Sequence, residues 1–152
     1  MRIRNQRGVT LVELMTVMVI VGVLTAIAVP TYTSYTLKTK RSDAKIALTS
    51  LAQQLERCYS RYNVYNATGS TQCNLATFPY NAPASATSTT ATYAIDQDTS
   101  AAATAFCTSG GLQAQCFAIK ATPINGQVRD THCGTLTLNS GGQKGGASTD
   151  CW

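Results

Sequence analysis

Gly8-Val9-Thr10-Leu11-Val12-Glu13-Leu14 opens an apolar run that continues to Val29, with Glu13 as its only charge. A short basic leader, Met1 to Arg7, precedes it. At about 1.5 Å per residue, a helix from Val9 to Val29 spans roughly the 30 Å hydrocarbon core of a bilayer. A carboxylate just inside such a segment costs about 2.5–3.5 kcal/mol on insertion scales, so Glu13 calls for a partner and a function. Cleavage after Gly8 would supply the partner, because Val9 then carries a free α-amino group four residues before Glu13, on the same helix face. Within one subunit the ammonium would neutralise the carboxylate, and between subunits the same pair would lock one helix against the next. In the uncut chain this amine does not exist.

These residues, followed by Gly22 and Pro30 in further apolar sequence, resemble the class III leader and N-terminal helix of type IV pilins. The resemblance implies cleavage after Gly8 by a prepilin peptidase, N-methylation of Val9, and a Glu13 that pairs with the N-terminus of a neighbouring subunit in the filament. Many members of the family begin the mature chain with Phe, where this chain has Val9. An ordinary secretory signal is the alternative. Ala26 and Ala28 stand before Pro30 in an A-x-A-like arrangement, and cleavage there would release a soluble protein, but such signals do not carry an acid near the start of the apolar core.

The 152 residues suffice for one domain with a modest core once the N-terminal helix is set aside. The formal charge of +5 includes Arg2, Arg4 and Arg7 of the leader, and without them it is +2. Thr31 to Tyr62 carries +4, whereas Asn63 to Trp152 carries −1. The leader arginines favour a cytoplasmic N-terminus, yet Lys38, Lys40, Arg41 and Lys45 flank the other end of the span, opposed by Asp43 alone. Six cysteines in a small domain break that tie in favour of a periplasmic head.

Beyond Pro30 the pattern becomes amphipathic. Ala44, Leu48, Leu51, Leu55, Cys58 and Tyr62 recur at helical spacing, with Lys45, Gln53, Glu56 and Arg57 mostly on the other side. A helix to about Tyr62 that lays one face on a domain follows. Pro30 lacks an N–H and crowds the preceding turn, so a kink or local break is expected there. The resemblance implies that the stretch between Gly22 and Pro30 loses helical structure in assembled pili.

From Asn63 to about Thr92, residues rich in Asn, Ser, Thr, Ala and Pro read as a long irregular connection. Strand-like runs follow at Tyr93 to Ile95, Gln115 to Thr122 and Thr135 to Leu138, with turn signals at Gly110-Gly111, Asn125-Gly126 and Gly141-Gly142. Alternation through Phe117, Ile119 and Ala121 suits a half-buried antiparallel sheet. The expected class is α+β with the pilin architecture: a long N-terminal helix, transmembrane in its first half and amphipathic in its second, packed on a small antiparallel sheet with a disulfide-closed C-terminal region. The expected divisions are 1–8 for the leader, 9–30 for the transmembrane and assembly helix, 31–62 for the amphipathic helix and 63–152 for the loop and sheet head.

The six cysteines allow fifteen pairings. Pairing of sequential neighbours, Cys58 with Cys73, Cys107 with Cys116 and Cys133 with Cys151, would tie the loop to the helix end, close a hairpin and staple the C-terminus. Zinc is the competing use, but no C-x-x-C occurs and His132 is the only histidine. The last twenty residues, from Cys133-Gly134-Thr135 to Cys151-Trp152, and the stretch from Arg41 to Tyr59 resemble PilE-type minor pilins.

No catalytic constellation is present. Gly141 to Gly146 lacks the order of a phosphate-binding loop, His132 reads as a loop residue, and no cofactor or metal is expected. The resemblance implies a structural subunit, minor rather than major, of a type IV pilus that supports pilus biogenesis, twitching motility, adhesion or DNA uptake. Its partners would be other pilin subunits, the prepilin peptidase, the inner membrane before assembly and the pilus assembly machinery, with the finished fibre extracellular. Two alternatives stay open. One is a DNA-binding minor pilin, disfavoured by the −1 charge beyond Tyr62, where Lys120, Arg129 and Lys144 face Asp96, Asp98, Asp130 and Asp150. The other is a type II secretion pseudopilin.

Overall fold

A computed structural model describes residues 8–65, 79–83, 86–107 and 113–152, the Thr104 side chain excepted. The chain divides between Thr36 and Leu37 into two compact units. One long helix, α1, runs over Leu11–Tyr62. Its start is set by Thr10, whose hydroxyl accepts the Glu13 N–H at 3.2 Å while its carbonyl accepts the Leu14 N–H at 3.2 Å. Thr10-x-x-Glu13 is thus a capping-box sequence in which the threonine satisfies one otherwise orphaned donor.

The helix continues through Gly22 and Pro30, so the break expected at Pro30 does not end it. In the N-terminal unit Thr25 donates to the carbonyls of Val21 and Gly22, Thr31 to that of Ile27 and Thr33 to that of Pro30. Back-bonding of this kind satisfies hydroxyls in an apolar segment and slightly weakens the helix that carries it.

In the second unit α1 presents Ala44, Leu48, Leu51, Leu55 and Cys58 as a buried stripe, while Tyr62 is half-buried. The stripe starts one turn earlier than its apolar residues suggest, because Arg41 is also buried. It packs on a five-stranded antiparallel meander: β1 (Tyr80–Ala82), β2 (Tyr93–Gln97), β3 (Ala118–Pro123), β4 (Leu136–Asn139) and β5 (Lys144–Gly145), in that spatial order. The core between them consists of Tyr93, Ile95, Phe117, Ile119, Ala121, Leu136 and Leu138 against the helix leucines. At about 1.5–3 kcal/mol for each large apolar side chain buried, this core is what holds the sheet to the helix.

Three expected strands are found with shifted ends, and two were not anticipated. β1 lies inside the stretch read as irregular. Three residues beside Pro83 give too short a pattern for period-two reading, and pairing with β2, Ala82 opposite Tyr93, supplies the order. β5 is a two-residue edge whose Gly145 lies across from Thr137. The Gly141-Gly142 signal does mark the β4–β5 turn. Gly142 has φ +75°, and a Cβ at Gly141 would stand 2.9 Å from the Phe106 ring. Asn125-Gly126 instead begins a 3₁₀ turn, Asn125–Arg129.

Between β2 and β3 the alanine-rich Ala101–Phe106 forms a short helix, α2. Asp98 starts it by accepting the Ser100 N–H at 3.0 Å, and Ser100 caps it through the Ala103 N–H at 3.4 Å. Ala103 and Ala118 are both buried, so the outer face of β3 is covered here as well as its inner face.

Disulfides join Cys107 to Cys116 and Cys133 to Cys151, both sequential neighbours. The first does not close a hairpin, because α2 and not a strand leads into Cys107. Cys58 is also disulfide-bonded, while the expected partner Cys73 lies outside the described residues, as does the Gly110-Gly111 signal. Tyr65 anchors the chain as it leaves α1. It stacks on Tyr59 at 4.5 Å, meets Phe117 edge-on at 5.1 Å and donates its hydroxyl to Glu56 at 3.0 Å. Burial, reinforced by Glu56, pushes that phenol up to about 12.

Candidate functional site

The N-terminal residues that carry the expected assembly chemistry are exposed along their whole length. Val9 is 71% and Leu11 74% exposed, and the large apolar residues on to Val29 are exposed in the same way. A surface of that kind in a helix long and apolar enough to cross a membrane is made for lipid or for other helices. Glu13 occupies the third position of α1, where the helix dipole favours a negative charge. Its carboxylate has no hydrogen-bond partner among the described residues, so the capping box is closed from the Thr10 side alone. The Thr10 cap was legible in the T-x-x-E spacing but is masked by the functional reading of Glu13.

In the head, the charged residues sort into three groups. Arg41 and Asp130 form a two-pronged ion pair, with Nε to Oδ2 and Nη2 to Oδ1 both 2.8 Å. Hydrogen bonding to Asp130 raises the Arg41 guanidinium above its ordinary value. Gln127, 1% exposed, completes the cluster by directing its amide nitrogen to the Leu37 carbonyl, the Tyr93 hydroxyl and Asp130, each at 3.1 Å. Its carbonyl oxygen is buried without a hydrogen-bond partner among the described residues. Arg41 is therefore not one of the free cations that flank the span. Its spacing of three from Ala44 places it on the stripe, but nothing local announces Asp130, 89 residues away.

The second group is His132 and Asp150, which meet at 2.9 Å on the surface beside the Cys133–Cys151 disulfide. His132 therefore pairs with Asp150 and not with its neighbour Asp130. The ligand atoms of His132, Cys133 and Cys151 lie within 4.8 Å of one another, but both sulfurs are in the disulfide, which removes them as metal ligands. The hydrogen bond from His132, then that from Ser148, lowers the Asp150 carboxyl to about 2. A depressed carboxyl contributes stability that is present above its unfolded value of about 3.8 and lost as pH falls towards 2. Carboxyl NMR titration is expected to give a midpoint near 2 for Asp150, and His132→Ala is expected to raise it towards 3.8, with the Ser148 hydrogen bond still holding it below that value.

The third group comprises the cations of the head. Lys120 is half-buried on β3 directly opposite Asp96 of β2. Arg129 is exposed on the 3₁₀ turn, and Lys144 holds its ammonium 5.3 Å from the Trp152 ring centroid. Trp152 is itself tied down by its indole N–H to the Gly145 carbonyl at 2.7 Å. The three cations stand on separate elements, β3, the 3₁₀ turn and β5. The surface is nonetheless more positive than the count of −1 suggests. Asp98 and Asp130 are each 4% exposed, and Asp130 is neutralised by Arg41.

Comparison with known families decides what the fold is for. The model of the type IV minor pilin ComP, DNA uptake sequence receptor, matches residues 30–137, and the prokaryotic N-terminal methylation motif matches residues 3–29. The chain belongs to the type IV minor pilin ComP family. Among solved structures, a high-resolution structure of a type IV pilin from Shewanella oneidensis is 31% identical, covering 76% of this chain and 97% of that one, with a TM-score of 0.46. No curated protein matches. This minor pilin has the α+β pilin fold and a membrane-anchoring N-terminal segment that carries the pilin methylation motif. Family and fold are those of a structural subunit.

Proposed function

We propose that this minor pilin is processed by cleavage after Gly8 and methylated at Val9. It waits in the inner membrane with its head in the periplasm, and enters an extracellular pilus by pairing Glu13 with the Val9 ammonium of a neighbouring subunit. Gly22 and Pro30, with the back-bonding threonines between and beside them, make the intervening helix the segment that unwinds as the fibre extends. The pilus assembly machinery and other pilins are its partners, and the subunit itself performs no chemistry.

On the fibre surface the head takes up DNA. The observation that carries this reading is the match of residues 30–137 to a family described as a DNA uptake sequence receptor. Burial of Asp98 and Asp130 supports it, because it weakens the charge argument against DNA: Arg129 and Lys144 face solvent, and Lys120 is half-buried opposite Asp96. Gel-shift titrations of the leader-free protein in detergent test it. Three phosphate contacts predict a salt slope of about −2.7, a loss of roughly fortyfold in affinity between about 50 and 200 mM salt. Lys120→Ala, Arg129→Ala and Lys144→Ala are each expected to flatten the slope by about one. Absence of salt-dependent binding would remove the DNA reading and leave the pilin assignment intact.

A further inference from the structure

The cations at Lys38 and Lys40 have no part in the Glu13–Val9 pairing proposed above, in the core or in the proposed DNA surface, and they lie on the flank of the span where positive charge is least favoured. The structure shows what stands beside them. Gln127 and Asp130 are pinned to α1, the first by its hydrogen bond to the Leu37 carbonyl at 3.1 Å and the second by its ion pair with Arg41. The two residues between these pins, Val128 and Arg129, therefore face outwards. Val128 is 59% exposed, one of three large apolar side chains exposed in the head among the described residues, with Ile46 and Phe106. Asn125 holds the start of the same turn by donating to the carbonyls of Ser88 and Ala91, each at 2.9 Å, so the turn is a fixed projection.

We infer that Lys38, Lys40, Val128 and Arg129 form a docking face for an anionic phospholipid surface, which holds the head against the outer leaflet of the membrane before assembly. Charge complementarity is the first argument. Lys38, Lys40 and Arg129 are exposed and have no ion-pair partner among the described residues, Asp130 is cancelled by Arg41, and Asp43, the remaining acid on this part of α1, is half-buried. Reach is the second, since Lys38 follows Val29 by only nine residues, at most roughly 30 Å of chain in any conformation. Order along the chain is the third: apolar to Val29, then exposed Tyr32 and Tyr35, then Lys38 and Lys40, the succession of hydrocarbon, aromatic belt and phosphate found at membrane interfaces. Val128 decides between lipid and DNA. An exposed valine gains nothing from a phosphate backbone but gains by entering the boundary between headgroups and acyl chains.

Each cation near an anionic leaflet contributes about fivefold to the docked population, so three contribute roughly a hundredfold. The test uses the full leader-free chain in nanodiscs, with valine methyls labelled for NMR and a paramagnetic lipid in the bilayer. The head contains two valines, Val64 and Val128, so Val64 at the far end of α1 serves as the internal control. In discs containing anionic phosphatidylglycerol the Val128 methyls are expected to broaden strongly while Val64 does not. The broadening should disappear in purely zwitterionic discs, in high salt, and in Lys38→Ala/Lys40→Ala/Arg129→Ala, whose exposed substitutions leave the core untouched. Equal signals for Val128 in anionic and zwitterionic discs would overturn the inference. So would a triple variant that loses DNA in the gel shift but keeps its lipid contact, since these cations would then serve nucleic acid.

Discussion

Glu13→Ala is expected to reach the membrane with its leader removed at the normal rate and to be depleted from sheared pili by two orders of magnitude or more. The chain around Gly8 and Val9 is unchanged in this variant, and the apolar run to Val29 becomes more apolar, so neither cleavage nor insertion loses a determinant. The capping box loses its glutamate, a change of about 0.3–1 kcal/mol at a helix N-terminus. A helix of 52 residues absorbs that without melting. Assembly does not absorb the other loss. A neighbouring subunit's Val9 ammonium would be buried among helices with no anion, and removing one partner of a buried pair costs about 3–5 kcal/mol, a factor on the order of a hundred to several thousand. Glu13→Gln separates the two roles, because it keeps a side chain able to hydrogen-bond within the cap but carries no charge. If charge is the determinant it should be excluded from fibres as the alanine variant is. Quantitative mass spectrometry of sheared fibres against the membrane fraction measures both, and normal incorporation of either variant would remove the proposed role of Glu13.

The elements governed by local periodicity could be read from the chain, and those governed by distant partners could not. Ala44 to Cys58 advertise the buried face of α1 through spacing alone, and the alternation from Phe117 to Ala121 advertises β3, because each pattern repeats several times within one element. β1 and β5 are too short to repeat anything, and they are ordered by pairing with β2 and β4. α2 has alanine in place of an apolar stripe, so neither period appears, and its helix rests on the Asp98 and Ser100 hydrogen bonds at its start. At the site, Glu13 is conspicuous because an isolated charge in apolar sequence is costly wherever it falls. The charge of the head surface is not legible for the opposite reason: Asp98 and Asp130 count the same as Asp96 in a charge sum, and burial makes them different.

Single replacement of Arg41 or of Asp130 is expected to destabilise the head by about 3–5 kcal/mol, a fall of about 10–20 °C in melting temperature for a unit of this size. Their side chains are 9% and 3% exposed, so either residue left alone is a charge stranded away from water. Arg41→Ala would also strip Asp130 of both its guanidinium hydrogen bonds and leave it with the Gln127 amide. The double variant Arg41→Met/Asp130→Leu is expected to cost much less than the two single changes together, since buried ion pairs gain little over apolar residues of similar volume. Thermal unfolding by circular dichroism, in detergent and with disulfides intact, gives all three values, and additive losses would show that the pair does not act as a unit. The Arg41, Asp130 and Gln127 cluster also ties the 3₁₀ turn to α1. It sets where the 3₁₀ turn sits on α1, and hence where Val128 and Arg129 project. The double variant should accordingly keep most of its stability while losing the difference between anionic and zwitterionic bilayers at the Val128 methyls.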